Sequence, residues 1–236
     1  MQIRDRVKRL VDSKIGWVGT VSFFAVAAFF VISLLAGIIT IPFYIIQKDE
    51  DLLNVVVSLV APVLMILGVV LFAKLFFKQP IKEVLKLKVP NKKVWWMVPA
   101  VVGGYVVLLV MFFMILYVIS PKILEQQQDV AAALEKIRGL KLFIMAFGVA
   151  FLTPIAEELF FRSFLLSLYA KKVQFLVGIF AGAALFGLAH WQLNVSVDTF
   201  LFGIALGLLT WQTESIYPAI ALHMLKNGLA LTSILK

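Results

Sequence analysis

Residues 140–169 read LKLFIMAFGVAFLTPIAEELFFRSFLLSLY. The run is almost wholly apolar, and as a helix rising ~1.5 Å per residue it exceeds the ~30 Å hydrocarbon core of a bilayer. It therefore tilts, kinks or protrudes, and Pro154 supplies a reason for a kink. Yet Glu157, Glu158 and Arg162 sit inside it. Each ionisable group at the middle of a membrane costs ~2.5–3.5 kcal/mol on insertion scales, so three approach roughly 10 kcal/mol before pairing is counted. Something must offset that cost.

The rest of the 236-residue chain fits the same solvent. Hydrophobic residues make up 62% of it and mean hydropathy is +1.02, whereas an ordinary soluble domain is nearer half apolar. The length accommodates about seven spans of roughly 20 residues, with six or eight as alternatives. Residues 15–46, 55–77, 94–119, 140–169, 173–191, 197–211 and 216–235 are the candidates. The fold class expected is an all-α polytopic membrane bundle. Residues 1–139 would hold three N-terminal spans with a basic N-terminus and a basic loop, and residues 140–236 a four-helix catalytic core.

Arg4, Arg6, Lys8, Arg9 and Lys14 precede the first apolar run. That run is longer than the ~7–15 residues of a signal-peptide core and ends in no small-residue cleavage pattern, so it reads as a retained span. The net charge of +9 lies between apolar runs, which the positive-inside rule explains without invoking nucleic acid. Lys78, Lys82, Lys86, Lys88, Lys92 and Lys93 fall in one loop, with residues 85–93 as a basic interfacial linker, and Lys171 and Lys172 in another. This places the N-terminus in the cytoplasm. The chain has no Cys, hence no disulfide framework, thiolate metal site or Cys nucleophile.

Glu158 and Arg162 are four residues apart with the acid first, the favourable order for a helical ion pair. Glu157 lies about 100° around the helix and has no local partner. In the next span, Gly178, Gly182, Phe186 and His190 form one ridge, whose glycines admit a close neighbour. If residues 140–169 and 173–191 form an antiparallel hairpin, Glu157 and His190 are each about 16–17 residues from the turn and lie at matching heights. In the last span His223 and Asn227 share a face, while Lys226 points elsewhere and can snorkel towards an interface. Each feature has a structural explanation: an ion cluster that locks helices, a satisfied interfacial histidine, an interhelical amide hydrogen bond. Together they gather both histidines of the chain, an orphan carboxylate and an amide into the last third of the sequence.

Glu157-Glu158-x-x-x-Arg162, Phe186-x-x-x-His190 and His223-x-x-x-Asn227, in that order, resemble the CPBP family. This is the family of CAAX proteases and bacteriocin-processing or bacteriocin-immunity proteins, also called Abi. The resemblance runs from about residue 140 to 235. It implies a helical intramembrane endopeptidase in which Glu157 and His190 activate a water, His223 and Asn227 stabilise the oxyanion, and Glu158 and Arg162 support them. It further implies a hydrophobic peptide or membrane-protein substrate, and a bacterial cell membrane as the location. The family has been described both as metalloproteases and as metal-free glutamate peptidases.

The residues themselves allow that chemistry. Peptide hydrolysis needs a base for water, an acid for the leaving amine and donors for the oxyanion. A neutral His and an Asn amide can both donate. The residues do not choose between two catalysts: the resemblance implies metal-free catalysis with no cofactor, and the alternative is zinc held by Glu157, His190 and His223 with an open position. A serine dyad through Ser163 or Ser167 lacks a nucleophile turn. Two readings from other classes are a proton-coupled transporter using Glu, Arg and His as a relay, for which the expected repeats are absent from the sequence, and a non-catalytic binding or immunity protein.

Overall fold

The computed structural model describes residues 49–123, 134–172 and 174–234, with isolated positions between 19 and 45. The expected span 15–46 otherwise lies outside the described residues; its described positions, from Gly19 to Ile45, are helical. Every regular element among the described residues is a helix. They run α1 Glu50–Phe76, α2 Ile81–Val84, α3 Val94–Ile119 and a 3-10 turn Pro121–Ile123. A continuous column follows, made of α4 Gly139–Phe147, a π turn Gly148–Leu152, α5 Thr153–Glu158, a second π turn Leu159–Leu165 and α6 Leu166–Lys172. The chain closes with α7 Phe175–Leu188, α8 Leu193–Thr213 and α9 Tyr217–Ile234.

Among the described residues, four helices are long and apolar enough to cross a membrane: Glu50–Leu75, Val94–Ile119, Gly139–Ala170 and Leu193–Thr213. The protein is thus an all-helical integral membrane protein, but the expected count of seven spans is not met among the described residues. The span expected over 173–191 contracts to α7, whose 14 residues reach about 21 Å, short of the ~30 Å core. It stops because the chain turns at Ala189 and His190 and Trp191 takes a left-handed φ of 58°. The expected 197–211, which already holds Asp198, lengthens at both ends to α8. α9 interrupts its apolar sequence with His223, Lys226 and Asn227.

The α4–α6 column is the hub. Every side chain from Glu158 to Leu166 is buried, as expected of a helix surrounded on all sides. Phe160, Phe161, Phe164 and Leu165 pack against Met65, Val69 and Ala73 of α1 and Phe186 of α7. The expected hairpin between the column and α7 is present. A Cβ on Gly178 would stand 2.7 Å from Tyr169 Cβ and 3.0 Å from Leu166 Cδ1, so only glycine permits this approach. α3 closes the far side, Met97 and Val101 meeting Ala205 and Leu209 of α8.

The lysine-rich loop is not a free interfacial linker. Val84 and Leu85 are buried, and their carbonyls accept from Ser167 Oγ at 2.9 Å and Ser163 Oγ at 2.7 Å. Both serines considered as nucleophiles are thus committed to backbone. Further along, Asn91 Nδ2 donates to Gln212 O at 2.9 Å, docking the loop on the end of α8. At the opposite end of the bundle, Asp49 caps α1 by accepting from Leu52 N at 2.9 Å and pairs with Lys141 at the start of α4.

Candidate active site

The kink expected at Pro154 takes the form of two π turns that flank α5. At the first, Thr153 N–H bonds five residues back to Gly148 O. The Val149 carbonyl loses its α-helical donor, Thr153, to that bond, and its π-helical donor would be Pro154, which has no N–H. Asn227 Nδ2 of α9 fills the gap, donating to Val149 O at 3.0 Å. The proline, the π turn and the amide are one construction, and it fastens α9 against the segment that carries the carboxylates. π bulges of this kind concentrate at functional sites.

On α5, Glu158 is fully buried. Its Oε1 lies 3.2 Å from Arg162 Nη1, the expected i,i+4 pair, and 2.8 Å from His223 Nδ1. The Arg162 guanidinium lies over the Phe186 ring at 4.1 Å. Glu158 Oε2 and both terminal nitrogens of Arg162 lack a hydrogen-bond partner in the protein. Glu157 keeps 17% of its side chain exposed, and its Oε2 stands 3.6 Å from His223 Nε2. The sequence left Glu157 without a local partner; the structure gives it a distant one, and that partner is His223. Phe186 and Phe202 hold the His223 ring edge-on from either side, with centroids 5.8 and 5.5 Å away.

His190 is placed just beyond α7. Its Nδ1 lies 2.8 Å from Phe186 O, and because a carbonyl only accepts, Nδ1 carries the proton and Nε2 presents a lone pair. Its ring meets Phe186 at 5.0 Å, the same aromatic ring that flanks His223. Glu157, Glu158, Arg162 and His223 therefore form one contact network, and His190 joins it across Phe186. Among the described residues no group of three His, Asp or Glu side chains is disposed to hold a metal ion, so the set Glu157, His190 and His223 does not form a ready cage.

One charged cluster escaped the sequence reading. Asp198 of α8 accepts from Lys226 Nζ at 2.8 Å and from Tyr105 Oη of α3. Lys226, expected to snorkel, points instead to Asp198 and lies over the Phe202 ring at 4.5 Å. Asp198 is an acid inside an apolar span, the same signal that marked Glu157, and applying it there would have found the cluster.

Fold and site together define a helical membrane protein with a buried carboxylate–imidazole–guanidinium cluster on its central column. Residues 139–229 match the family model described as Rce1-like, type II CAAX prenyl endopeptidase Rce1-like, which bears out the resemblance over the segment holding all three motifs. No curated protein sequence and no solved structure matches the chain.

Proposed function

We propose that this protein is an intramembrane endopeptidase that hydrolyses a peptide bond in a hydrophobic or membrane-associated substrate. The observation that carries the reading is the chain of contacts Glu157–His223–Glu158–Arg162 inside a span-length helix and its neighbour. A membrane helix holds such groups only where they are paired or used, and Glu157 is the most accessible member, with 17% of its side chain exposed.

Glu157 takes the proton from the attacking water and later passes it to the leaving amine, the work of a general base and acid. His190, protonated on Nδ1 by its bond to Phe186 O, offers Nε2 to orient the same water. Glu158 plays the role of the orienting carboxylate in a triad, accepting from His223 Nδ1 and fixing the ring's orientation. His223 Nε2 is 3.6 Å from Glu157 Oε2, too long for a hydrogen bond, and when it carries a proton it is free to donate to a developing oxyanion. Asn227 spends one amide hydrogen on Val149 O and has a second to donate. No step in this scheme requires a metal, and the zinc alternative becomes an outcome of the test. The positive-inside pattern favours a cytoplasmic N-terminus, and the family resemblance favours a bacterial cell membrane.

The deciding experiment is a peptidase assay on purified protein, comparing wild type with Glu157→Gln, with and without chelator. A prenylated C-terminal peptide is the first substrate to try, following the family description, with hydrophobic signalling peptides and bacteriocin leaders after it. Cleavage by wild type that survives chelation and is lost in Glu157→Gln supports the scheme. Stoichiometric zinc that tracks activity overturns its metal-free part, and cleavage by Glu157→Gln at the wild-type rate removes Glu157 from the mechanism.

A further inference from the structure

The boundary at which α1, α6, α7 and α8 end encloses a cavity of about 240 Å3 that the hydrolytic scheme does not use. Phe175 and Trp211 form one wall, their rings stacked at 3.8 Å, while Gln79, Glu83 and Lys86 supply polar lining. Aromatic rings at the ends of spans are the usual markers of headgroup level.

Lys86 differs from the lysines around it. It is half-buried, while Lys78, Lys82 and Lys88 are exposed. Lys88 is paired with Glu214 at 2.7 Å, whereas Lys86 has no ion pair among the described residues. Its backbone is also fixed in a way a solvated loop is not. Lys86 adopts a left-handed φ of 52°, its carbonyl accepts from Ile216 N at 3.1 Å, and the carbonyls of Leu85 and Lys88 accept from Ser163 and Ser215. The chain holds a side chain bearing an ammonium against a cavity whose rim carries Glu83, with the Glu214 charge acting on it from nearby, yet closes no ion pair with it among the described residues. Burial pushes that ammonium below the ordinary lysine range, and an anion placed beside it would restore the charged form. Leu75 and Leu176, next to the lined positions, are exposed apolar residues on α1 and α7.

We propose that this cavity binds the phosphate of an anionic phospholipid headgroup, with Lys86 contacting the phosphate and the Phe175–Trp211 wall packing on the glycerol and upper acyl carbons. Basic pockets between membrane helices recognise such headgroups. Glu83, exposed at the rim, opposes a second negative charge and tempers the affinity.

The test uses the full chain purified in mild detergent and reconstituted in nanodiscs of phosphatidylcholine, alone or mixed with phosphatidylglycerol. Lipid retained after extraction is counted by native mass spectrometry. Wild type should retain phosphatidylglycerol in preference to phosphatidylcholine. Lys86→Gln should weaken retention about fivefold, the equivalent of ~1 kcal/mol for one cation at an anionic surface. Lys86→Arg should keep it, Glu83→Gln should strengthen it, and Lys88→Gln should leave it unchanged. Equal losses in Lys86→Gln and Lys88→Gln would reduce the effect to diffuse surface charge and overturn the site. Displacement by inorganic phosphate as effective as by lipid would make it a free-phosphate site and overturn the lipid assignment. Absence of any retained phospholipid in folded wild type also overturns it. None of these readouts depends on peptidase activity, so the site stands or falls apart from the hydrolytic reading.

Discussion

Asp198, Lys226 and Tyr105 form a closed circuit of charge, whereas Glu157, Glu158, Arg162 and His223 form an open one. In the first, one Asp198 oxygen takes Lys226 and the other takes the Tyr105 hydroxyl, and the ammonium adds the face of Phe202. The two charges balance. In the second, Glu158 Oε2 and the Arg162 terminal nitrogens are buried without hydrogen-bond partners, and Glu157 meets His223 only at 3.6 Å. Two acids face one permanent cation, and the His223 imidazole stands between them. Each cluster joins a span-length helix to α9, and both meet the ring of Phe202. A charge within a span is thus not by itself the mark of chemistry. The mark is a charge whose pairing is incomplete, because an unfilled valence is what a substrate or water can use.

That distinction predicts separable losses. Glu157→Gln gives the largest change in activity, a fall on the order of 10²–10⁴ for a missing general base. Yield and melting temperature should stay near wild type, since the amide keeps the shape and the group is the most exposed of the cluster. A Gln variant that fails to fold would move Glu157 to the closed, structural kind.

Arg162→Ala acts on folding. It strands the fully buried Glu158 carboxylate beside Glu157, and removing one member of a buried pair costs about 3–5 kcal/mol. Glu158→Ala strands the guanidinium in the same way. The double substitution should cost less than the sum of the two singles, as read from thermal unfolding in detergent. Additive losses in that cycle would mean that the pair at 3.2 Å is not energetically coupled.

Asn227→Ala falls between the two regions, since the amide both closes the Val149 carbonyl and is proposed to serve the oxyanion. Turnover should drop by about 10²–10³, with a stability loss of about 1–3 kcal/mol for the orphaned carbonyl. Asn227→Asp, which can accept but not donate when ionised, should lose both. A stability loss with full turnover would assign Asn227 to the backbone of α4–α5 alone.

Asp198→Asn tests the closed circuit. The amide still accepts from Tyr105 but no longer neutralises Lys226, and the loss of a hydrogen bond to a charged group is worth about 1.5–3 kcal/mol. Pairing it with Lys226→Met should recover part of that loss. Activity per folded molecule should stay within a few-fold of wild type; a fall as large as that of Asn227→Ala would place this cluster within the catalytic machinery and dissolve the contrast.

The sequence made the central column legible because its signals are local. An apolar run with charges inside, a four-residue spacing and a proline all act within a turn or two, and they yielded the Glu158–Arg162 pair, the hairpin with α7 and the glycine-mediated approach at Gly178. What depended on helix rotation did not emerge. Matched heights suggested His190 as the neighbour of Glu157, but height leaves the azimuth free, and the structure turns His223 towards both carboxylates. The π turns were hidden for the same reason: an extra residue per turn leaves no trace in hydrophobic periodicity when the helix is apolar all round. Span count suffered where polar groups shorten a helix, as at Ala189 and His190.

The smallest effect belongs to a third kind of pair, Lys88–Glu214, at 2.7 Å with side chains 55% and 61% exposed. Its geometry is tighter than that of Glu158–Arg162, yet water and salt screen both partners and two long side chains pay entropy to meet. Glu214→Gln should leave the melting temperature at neutral pH unchanged within error. The hydrogen bond from Lys88, then its charge, holds the Glu214 carboxyl below the usual glutamate range. A depressed carboxylate contributes its stability above the unfolded-state pKa and loses it as pH falls through the folded one. Any difference between wild type and Glu214→Gln should therefore be present at neutral pH and vanish in acid, and should shrink in high salt. A large, salt-insensitive loss would mean that Glu214 acts through its left-handed backbone at φ 55°, where the loop docks on α8, and that distance is a better guide to pair strength than burial in this molecule.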